Sequence, residues 1–237
     1  MSVDIILRKP LEKLGLNKPL FIMGFPSTGL VGSIALTYLT TELNFDIAGT
    51  FKSDRFAPIA AIHSGKPLPP IRIMYSKEHN SIAIVSEMAI PVVATNDIVD
   101  IILKFFKKLN GTLAVSIGGV SLMEGENKVY YIPSNESVEK LAESKRIGER
   151  INEGATTGVT AVFLYNAFLR NINAISILAE ANAEFGDPKA SSNALKALYK
   201  LTGIKVNTSK LDKEAKELVN RVKEASISSK KPSSMYG

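Results

Sequence analysis

The segment Gly24–Gly32, which reads Gly-Phe-Pro-Ser-Thr-Gly-Leu-Val-Gly, has residue types that could cradle a phosphate. Its first two glycines have the Walker spacing, but Leu30 and Val31 stand where that motif needs Lys and Ser or Thr. Pro26 likewise occupies the second glycine position of the dinucleotide-binding fingerprint. We therefore favour a structural turn here. A small-molecule or nucleotide-binding α/β enzyme that uses this turn stays as the alternative function.

The chain offers few side chains for catalysis or metal binding. Neither His63 nor His79 has a second ligand at the H-x-x-x-H or H-E spacing, which argues against a metal site. There is no G-x-S-x-G nucleophile elbow. Candidate carboxylates near the ends of predicted strands are Glu87, Glu124, Glu126, Glu180, Glu184 and Asp187. None has a paired base or nucleophile in the sequence, so we predict a protein that is not an enzyme and needs no cofactor.

Composition and charge narrow the class of protein. Of 237 residues, 45% are hydrophobic and 22% charged, which is ordinary for a soluble globular chain. The absence of cysteine excludes disulfides, zinc-thiolate sites and cysteine nucleophiles, and it suits a cytoplasmic location. No apolar run is long enough to span a bilayer. The net charge is +6, but the Lys and Arg residues are spread along the chain among acidic residues, and no basic block has interleaved aromatic residues. We therefore expect neither nucleic-acid nor membrane binding.

The last three residues, Met235, Tyr236 and Gly237, could form a docking motif. They end a small, polar and basic segment that begins at Ser226 and has the composition of a flexible linker. A mobile end can insert a rigid aromatic ring with a hydroxyl group, next to an apolar side chain and a terminal carboxylate. The alternative is a terminus without a role.

The periodicity of the apolar residues predicts a layered α/β domain in which strands and helices position these candidates. The apolar run 20–23 is a buried strand. After the glycine turn, Leu30, Ile34 and Tyr38 mark one stripe of a helix whose glycine and small residues allow close approach of another backbone. Further strands are expected at 45–51, 59–63, 71–75, 82–85, 113–117 and 174–179. Residues 64–70 are expected to form an exposed, hairpin-like loop between two of these strands.

Helix boundaries follow from capping residues. We predict a helix over 97–109 capped by Thr95 or Asn96, and a polar helix capped by Ser134 that ends near residue 145. A second small-residue turn, 154–161, leads into an apolar helix. Asp187 and Pro188 start another helix, and a last amphipathic helix begins near residue 208 or 209 and packs on the domain or on a neighbouring subunit. We expect one domain over 1–225 and a flexible C-terminal tail over 226–237.

Four segments of the sequence resemble the archaeal members of the proteasome-assembling chaperone family. These segments are the glycine turn 24–32, Ser-Ile-Gly-Gly at 116–119, the turn 154–158 and the region 180–198. The resemblance covers most of the chain and implies an α/β fold similar to that of nucleoside phosphorylases, with a sheet flanked by helices and a C-terminal helix. Residue 27 is serine where relatives often carry glycine, which further weakens a phosphate site.

The resemblance also implies a function. Family members form homo-oligomers, and we expect a tetramer or pentamer here. Some members end in a hydrophobic-Tyr-any motif that docks into pockets between α-subunits of the proteasome core particle, and Met235, Tyr236 and Gly237 match that motif. The expected function is therefore an ATP-independent proteasome-binding protein that assists assembly, opens the substrate gate, or both. Unfolded proteins are expected as a further partner.

Overall fold

The computed structural model describes residues 3–121 and 127–218. Its strands are β1 (Asp4–Leu7), β2 (Leu20–Gly24), β3 (Asp46–Lys52), β4 (Ala61–His63), β5 (Lys66–Leu68), β6 (Ile71–Ser76), β7 (Ser81–Ser86), β8 (Ala114–Ser121), β9 (Val129–Pro133), β10 (Glu149–Arg150) and β11 (Ala174–Ala181). Its helices are α1 (Val31–Glu42), α2 (Val92–Lys108), α3 (Glu136–Lys145), α4 (Gly158–Leu169), α5 (Pro188–Thr202) and a last helix, α6, over 209–218.

In the described part of the chain, nine strands form one sheet in the order β1-β3-β6-β7-β2-β8-β11-β9-β10. The central strands β7, β2, β8 and β11 run parallel, and antiparallel strands extend the sheet on both sides. From β2 the next parallel strand lies on one side, and from β8 it lies on the other, so the strand order reverses between these two. In open α/β sheets, such a reversal opens a crevice at the carboxyl ends of the strands.

Helices cover both faces of the sheet, because its central strands are apolar on both sides. Helices α1, α3 and α5 bury one face around Leu36, Ile117 and Leu198. Helices α2 and α4 bury the other face around Phe21, Ile102 and Phe163. The predicted layered α/β fold, a sheet flanked by helices, is confirmed.

Helix α2 begins earlier than predicted. It starts at Val92 behind Pro91, whose fixed φ suits the position before a helix, and not after Thr95 or Asn96. The Thr95 hydroxyl is already inside the helix and donates to the Pro91 carbonyl at 3.2 Å, so it is not available as a cap.

Helix α3 is capped by Asn135 and not by Ser134. The Asn135 side chain accepts from the Val138 N–H at 3.0 Å. The Ser134 hydroxyl instead donates to the Ile172 carbonyl and accepts from the Ala174 N–H, which joins the end of β9 to the start of β11. A buried serine held in both directions cannot also cap a helix.

Three strands, β5, β9 and the two-residue β10, were not among the predicted strands. Strand β9, which pairs with β11, was not predicted, because its run is short and ends in Pro133. The predicted loop 64–70 contains β5, which pairs with β4 across the turn Ser64-Gly65. Both turn residues have positive φ, as a tight two-residue hairpin requires. The remaining predicted strands are confirmed within two residues at each end, except that β8 continues four residues further, to Ser121.

Candidate functional site

The ends of β2 and β8 meet at the reversal of strand order. The Gly119 N–H donates a hydrogen bond to the Ser27 hydroxyl at 3.0 Å. A Cβ on Gly119 would lie 2.1 Å from the Thr28 carbonyl oxygen, so this position accepts only glycine without a backbone shift. The glycine turn and the Ser-Ile-Gly-Gly segment, which lie far apart in the sequence, therefore form one structural unit.

A cavity of about 930 Å³ lies over this unit, within the size range of small-molecule sites. Its walls come from the ends of β2 and β8, from the loop before α4 and from the first turns of α4. Apolar side chains such as Ile132, Leu164 and Leu178 form part of the wall. Polar lining residues are Ser27, Thr28, Asn152, Glu153, Thr156, Thr157, Thr160 and Tyr165.

The charge of the cavity does not suit a nucleotide triphosphate. Glu153 is the charged residue among the described lining residues, and neither Lys nor Arg lines the cavity there. Phosphate groups are normally met by cationic side chains or by magnesium held near them. The hydroxyl groups and the apolar wall can instead bind a small molecule of low charge. The described lining brings together no acid–base pair and no activated nucleophile.

Packing accounts for the glycines of the turn 24–32. A Cβ on Gly32 would lie 2.5 Å from the Ile117 carbonyl oxygen, so glycine allows α1 to approach β8 closely. Gly29 has φ of 60° and its carbonyl accepts from the Asp187 N–H at 2.8 Å. The turn thus joins α1 to the start of α5, which supports the structural interpretation of this segment.

Glu87, one of the predicted carboxylates, is part of an ion-pair cluster at the end of β7. It pairs with the buried guanidinium of Arg72 and accepts from His63 Nε2 at 2.9 Å. Burial tends to raise the pKa of the Glu87 carboxyl, but hydrogen bonds from Arg72 and His63 outweigh it, so the pKa lies below its ordinary value. These contacts fasten the β4–β5 hairpin to the main sheet.

The other predicted carboxylates have structural partners or lie elsewhere. Glu180 is buried and accepts from the Lys128 N–H and the Tyr130 hydroxyl, both at 3.1 Å. Desolvation and this carboxylate raise the pKa of Tyr130. Asp187 caps α5, as predicted, by accepting from the Ala190 N–H at 2.9 Å. Glu184 is exposed, and Glu124 and Glu126 lie outside the described residues.

The two histidines do not meet. His63 contacts Glu87, and the ring of His79 stacks on Phe45 with a centroid distance of 6.2 Å. Across residues 3–121 and 127–218, no group of three or more His, Asp or Glu side chains is placed to hold a metal ion. Over the same residues, none of the helices has the length and apolar character needed to cross a membrane.

The described part of α6 is anchored to the domain. On α6, Leu211 and Ala215 are buried, and Leu211 joins the core formed by α1 and α5. The Asp212 carboxylate forms ion pairs with Lys189 and Lys196, at N–O distances of 3.0 Å and 3.1 Å. Of the two partners predicted for this helix, its described part therefore packs on its own domain. Met235, Tyr236 and Gly237 lie outside the described residues.

Two features of this region were not predicted. Arg72 was not singled out, since a charged residue inside a buried strand gives no sequence signal about its partner 15 positions away. The sequence predicted the small-residue turn before α4, but it did not predict that this turn and the ends of β2 and β8 enclose a cavity. The signal was present: small-residue turns that follow or precede parallel strands gather at one edge of the sheet.

Solved structures share this fold over nearly the whole chain. A crystal structure of Pyrococcus furiosus PbaA, described as an archaeal homolog of proteasome-assembly chaperone, aligns with a TM-score of 0.85 at 26% identity, covering 96% of this chain and 93% of PbaA. Pyrococcus furiosus PbaB, described as an archaeal proteasome activator, aligns with a TM-score of 0.82 at 23% identity, covering 95% and 99%. At that identity the PbaB likeness concerns the fold.

Sequence comparisons agree with the structural ones. An uncharacterized protein of Methanocaldococcus jannaschii, MJ0106, is 33% identical over 212 residues, which cover 90% of this chain and 87% of the relative. Residues 21–226 match the PAC2 family, and this confirms the family resemblance inferred from the sequence. Because that match spans the central sheet, both helical layers and most of the chain, the protein belongs to the PAC2 family.

Proposed function

We propose that this protein binds the proteasome core particle without ATP, assisting assembly, opening the substrate gate, or both. The observation that supports it best is the likeness over almost the full chain to PbaA, a homolog of proteasome-assembly chaperone. The described site supports a binding role over a catalytic one, because the described lining of the cavity contains no paired catalytic groups and packing explains the glycines of the turn.

The C-terminal residues are the proposed contact. Met235 is the apolar anchor, Tyr236 supplies an aromatic ring and a hydroxyl group, and the Gly237 carboxylate pairs with a lysine in a pocket between α-subunits. The segment 226–234 is small and polar, and a flexible chain of that length spans roughly 15–20 Å. Because α6 packs on the domain core over its described residues, 209–218, the residues that follow set how far the motif can reach from the domain.

A single tripeptide binds weakly, so the proposal includes a homo-oligomer, a tetramer or pentamer, that presents several tails. Linked tails raise the effective concentration at neighbouring pockets, and the avidity can exceed that of one tail by a factor of ~10²–10⁴. Unfolded polypeptides are proposed as a further partner of the oligomer.

The test is peptidase activity and co-elution of a purified archaeal proteasome core with this protein, with no ATP added. The companion sample lacks Met235 to Gly237. We expect the full chain to co-elute and the truncated chain not to, and stimulation that disappears with the tail establishes gate opening. Co-elution without stimulation points to the assembly role. Absence of co-elution by the full chain contradicts the proposal.

The cavity supports a second candidate function, a small-molecule or nucleotide-binding enzyme that uses the turn 24–32. Its volume and its place at the reversal of strand order favour ligand binding. A thermal-shift screen of nucleosides, nucleotides and small carboxylates tests it. A ligand that raises the melting temperature of the wild type but not of Leu178→Trp, which adds bulk to the cavity wall, supports this function, and a flat screen argues against it.

A further inference from the structure

Helix α4 is apolar on its solvent side as well as on its core side. Its sequence from Gly158 to Leu169 contains no charged residue. A helix that is hydrophobic all round is normally buried. Yet Tyr165 is 48% exposed, Phe168 68% and Leu169 72% in the isolated chain. Since these residues follow one another at helical spacing, they form a continuous apolar stripe.

The stripe continues onto the first turn of α2. The Tyr165 hydroxyl donates to the Asn96 side-chain oxygen at 3.1 Å. One helical turn before Asn96 lie Val92 and Val93, which are 87% and 71% exposed. Together these exposed side chains form one surface, the α2/α4 face, which consists of Val92, Val93, Tyr165, Phe168 and Leu169.

The area of the α2/α4 face is that of an interface. The exposed parts of its five side chains sum to about 600 Å², the upper end for the largest apolar patch on an ordinary monomer. A stable protein–protein interface buries about 800 Å² on each partner. The face therefore supplies most of one side of a standard interface before any polar rim is counted.

The charges around the face are paired within the chain. Arg55 binds Asp97 at 2.6 Å, and Asp100 binds both Lys104 and Arg170 at 2.7 Å. These five groups carry three positive charges and two negative ones, a net charge of +1 against +6 for the whole chain. A strongly acidic or basic partner would gain little from one net charge, and an identical face meets only weak like-charge repulsion.

We infer that a second copy of this chain covers the α2/α4 face in solution. Tyr165 lies on this face and also lines the cavity at the strand ends, so the second copy borders the cavity mouth. The inference concerns the oligomer of the proposed function and is independent of tail docking, because association of the chain with itself is measured without a proteasome.

The first test is the mass in solution, measured by light scattering, of the wild type and of the double variant Phe168→Asp/Leu169→Asp. Ile62→Asp is the matched control, because Ile62 is 66% exposed on the hairpin β4–β5 and is not one of the residues of the α2/α4 face. We expect an oligomer for the wild type and the control, and a reduction to smaller species for the double variant, with unchanged circular dichroism. A monomeric wild type, or a folded double variant of unchanged mass, overturns the inference.

The second test does not depend on the folding of a charged variant. Because the chain has no cysteine, Leu169→Cys and Ile62→Cys each introduce one thiol. We expect a maleimide to label the thiol at position 169 at least about tenfold more slowly than the one at 62, and both equally in denaturant. Equal rates in the native protein, or protection at 169 that requires an added partner such as the proteasome core, contradict a second copy as the occupant.

Discussion

The hydrogen bond from the Gly119 N–H to the Ser27 hydroxyl joins the ends of the two central strands, β2 and β8. At the same place the Gly119 Cα approaches the Thr28 backbone so closely that no side chain fits. The neighbouring Gly118 meets only the tip of Leu178 and the Ser27 side chain, at 3.3 Å and 3.5 Å from an added Cβ. The two adjacent glycines therefore differ in what they tolerate.

Alanine at position 119 is expected to destabilise the fold by about 2 kcal/mol or more, because its Cβ would overlap a backbone carbonyl that cannot move freely. Alanine at position 118 is expected to cost less than about 1 kcal/mol, because side-chain ends can shift by a few tenths of an ångström. Urea unfolding of both variants measures the difference. Equal losses would show that the backbone contact at Thr28 relaxes without cost.

How much of this site the sequence could predict depends on the range of the interactions. The glycine turn, the α5 cap at Asp187 and the apolar strands follow from local rules of spacing and capping. The contact between Ser27 and Gly119 spans 92 positions and follows only from the order of strands in the sheet. Sequence periodicity identifies parallel strands but does not order them, so the cavity between their ends could not be derived.

Boundary errors also have a physical cause. Thr95 and Ser134 have the residue types of helix caps, and the sequence cannot show that their hydroxyls are committed to the carbonyls of Pro91 and Ile172. The face on α4 is a similar case, since an apolar helix predicts burial without indicating whether its own domain or another chain covers it.

The Arg72–Glu87 pair makes the stability depend on pH. The pKa of Glu87 is lowered from its ordinary value of 4.5 in the folded chain, so its ionised form stabilises the fold above that pH. As the pH falls through the folded-state pKa, the carboxyl is protonated and this contribution is lost. Glu87→Gln is therefore expected to cost about 1–3 kcal/mol at pH 7, and progressively less than that below pH 4.5.

Urea unfolding of the wild type and of Glu87→Gln over a pH series measures this convergence. Glu78→Gln, in the exposed turn between β6 and β7, is the matched control and is expected to track the wild type at every pH. A gap between wild type and Glu87→Gln that stays constant down to strongly acidic pH would show that the ionised carboxylate is not the stabilising group.

The Asp187 side chain holds two backbone donors, from Ala190 at 2.9 Å and from Asn182 at 3.0 Å. Asp187→Ala is expected to cost about 1–2 kcal/mol, because the first turn of α5 loses its cap. Asp187→Asn keeps one acceptor oxygen for the Ala190 N–H but loses the oxygen that accepts from Asn182, so it is expected to lose about half as much as Asp187→Ala. Thermal unfolding compares the two variants, and equal losses would show that the cap at Ala190 alone contributes little.

Tyr236 is expected to dominate binding to the proteasome core, because an aromatic ring in a pocket supplies most of the contact area of a short peptide. Tyr236→Ala is expected to abolish co-elution, and Tyr236→Phe to weaken it if the hydroxyl is bound. Tyr199→Ala, which removes an exposed tyrosine from α5, is the matched control and is expected to bind like the wild type. Light scattering of all three variants checks that the oligomer persists. Undiminished binding by Tyr236→Ala would remove the tail as the contact and direct attention to the surface of the domain itself.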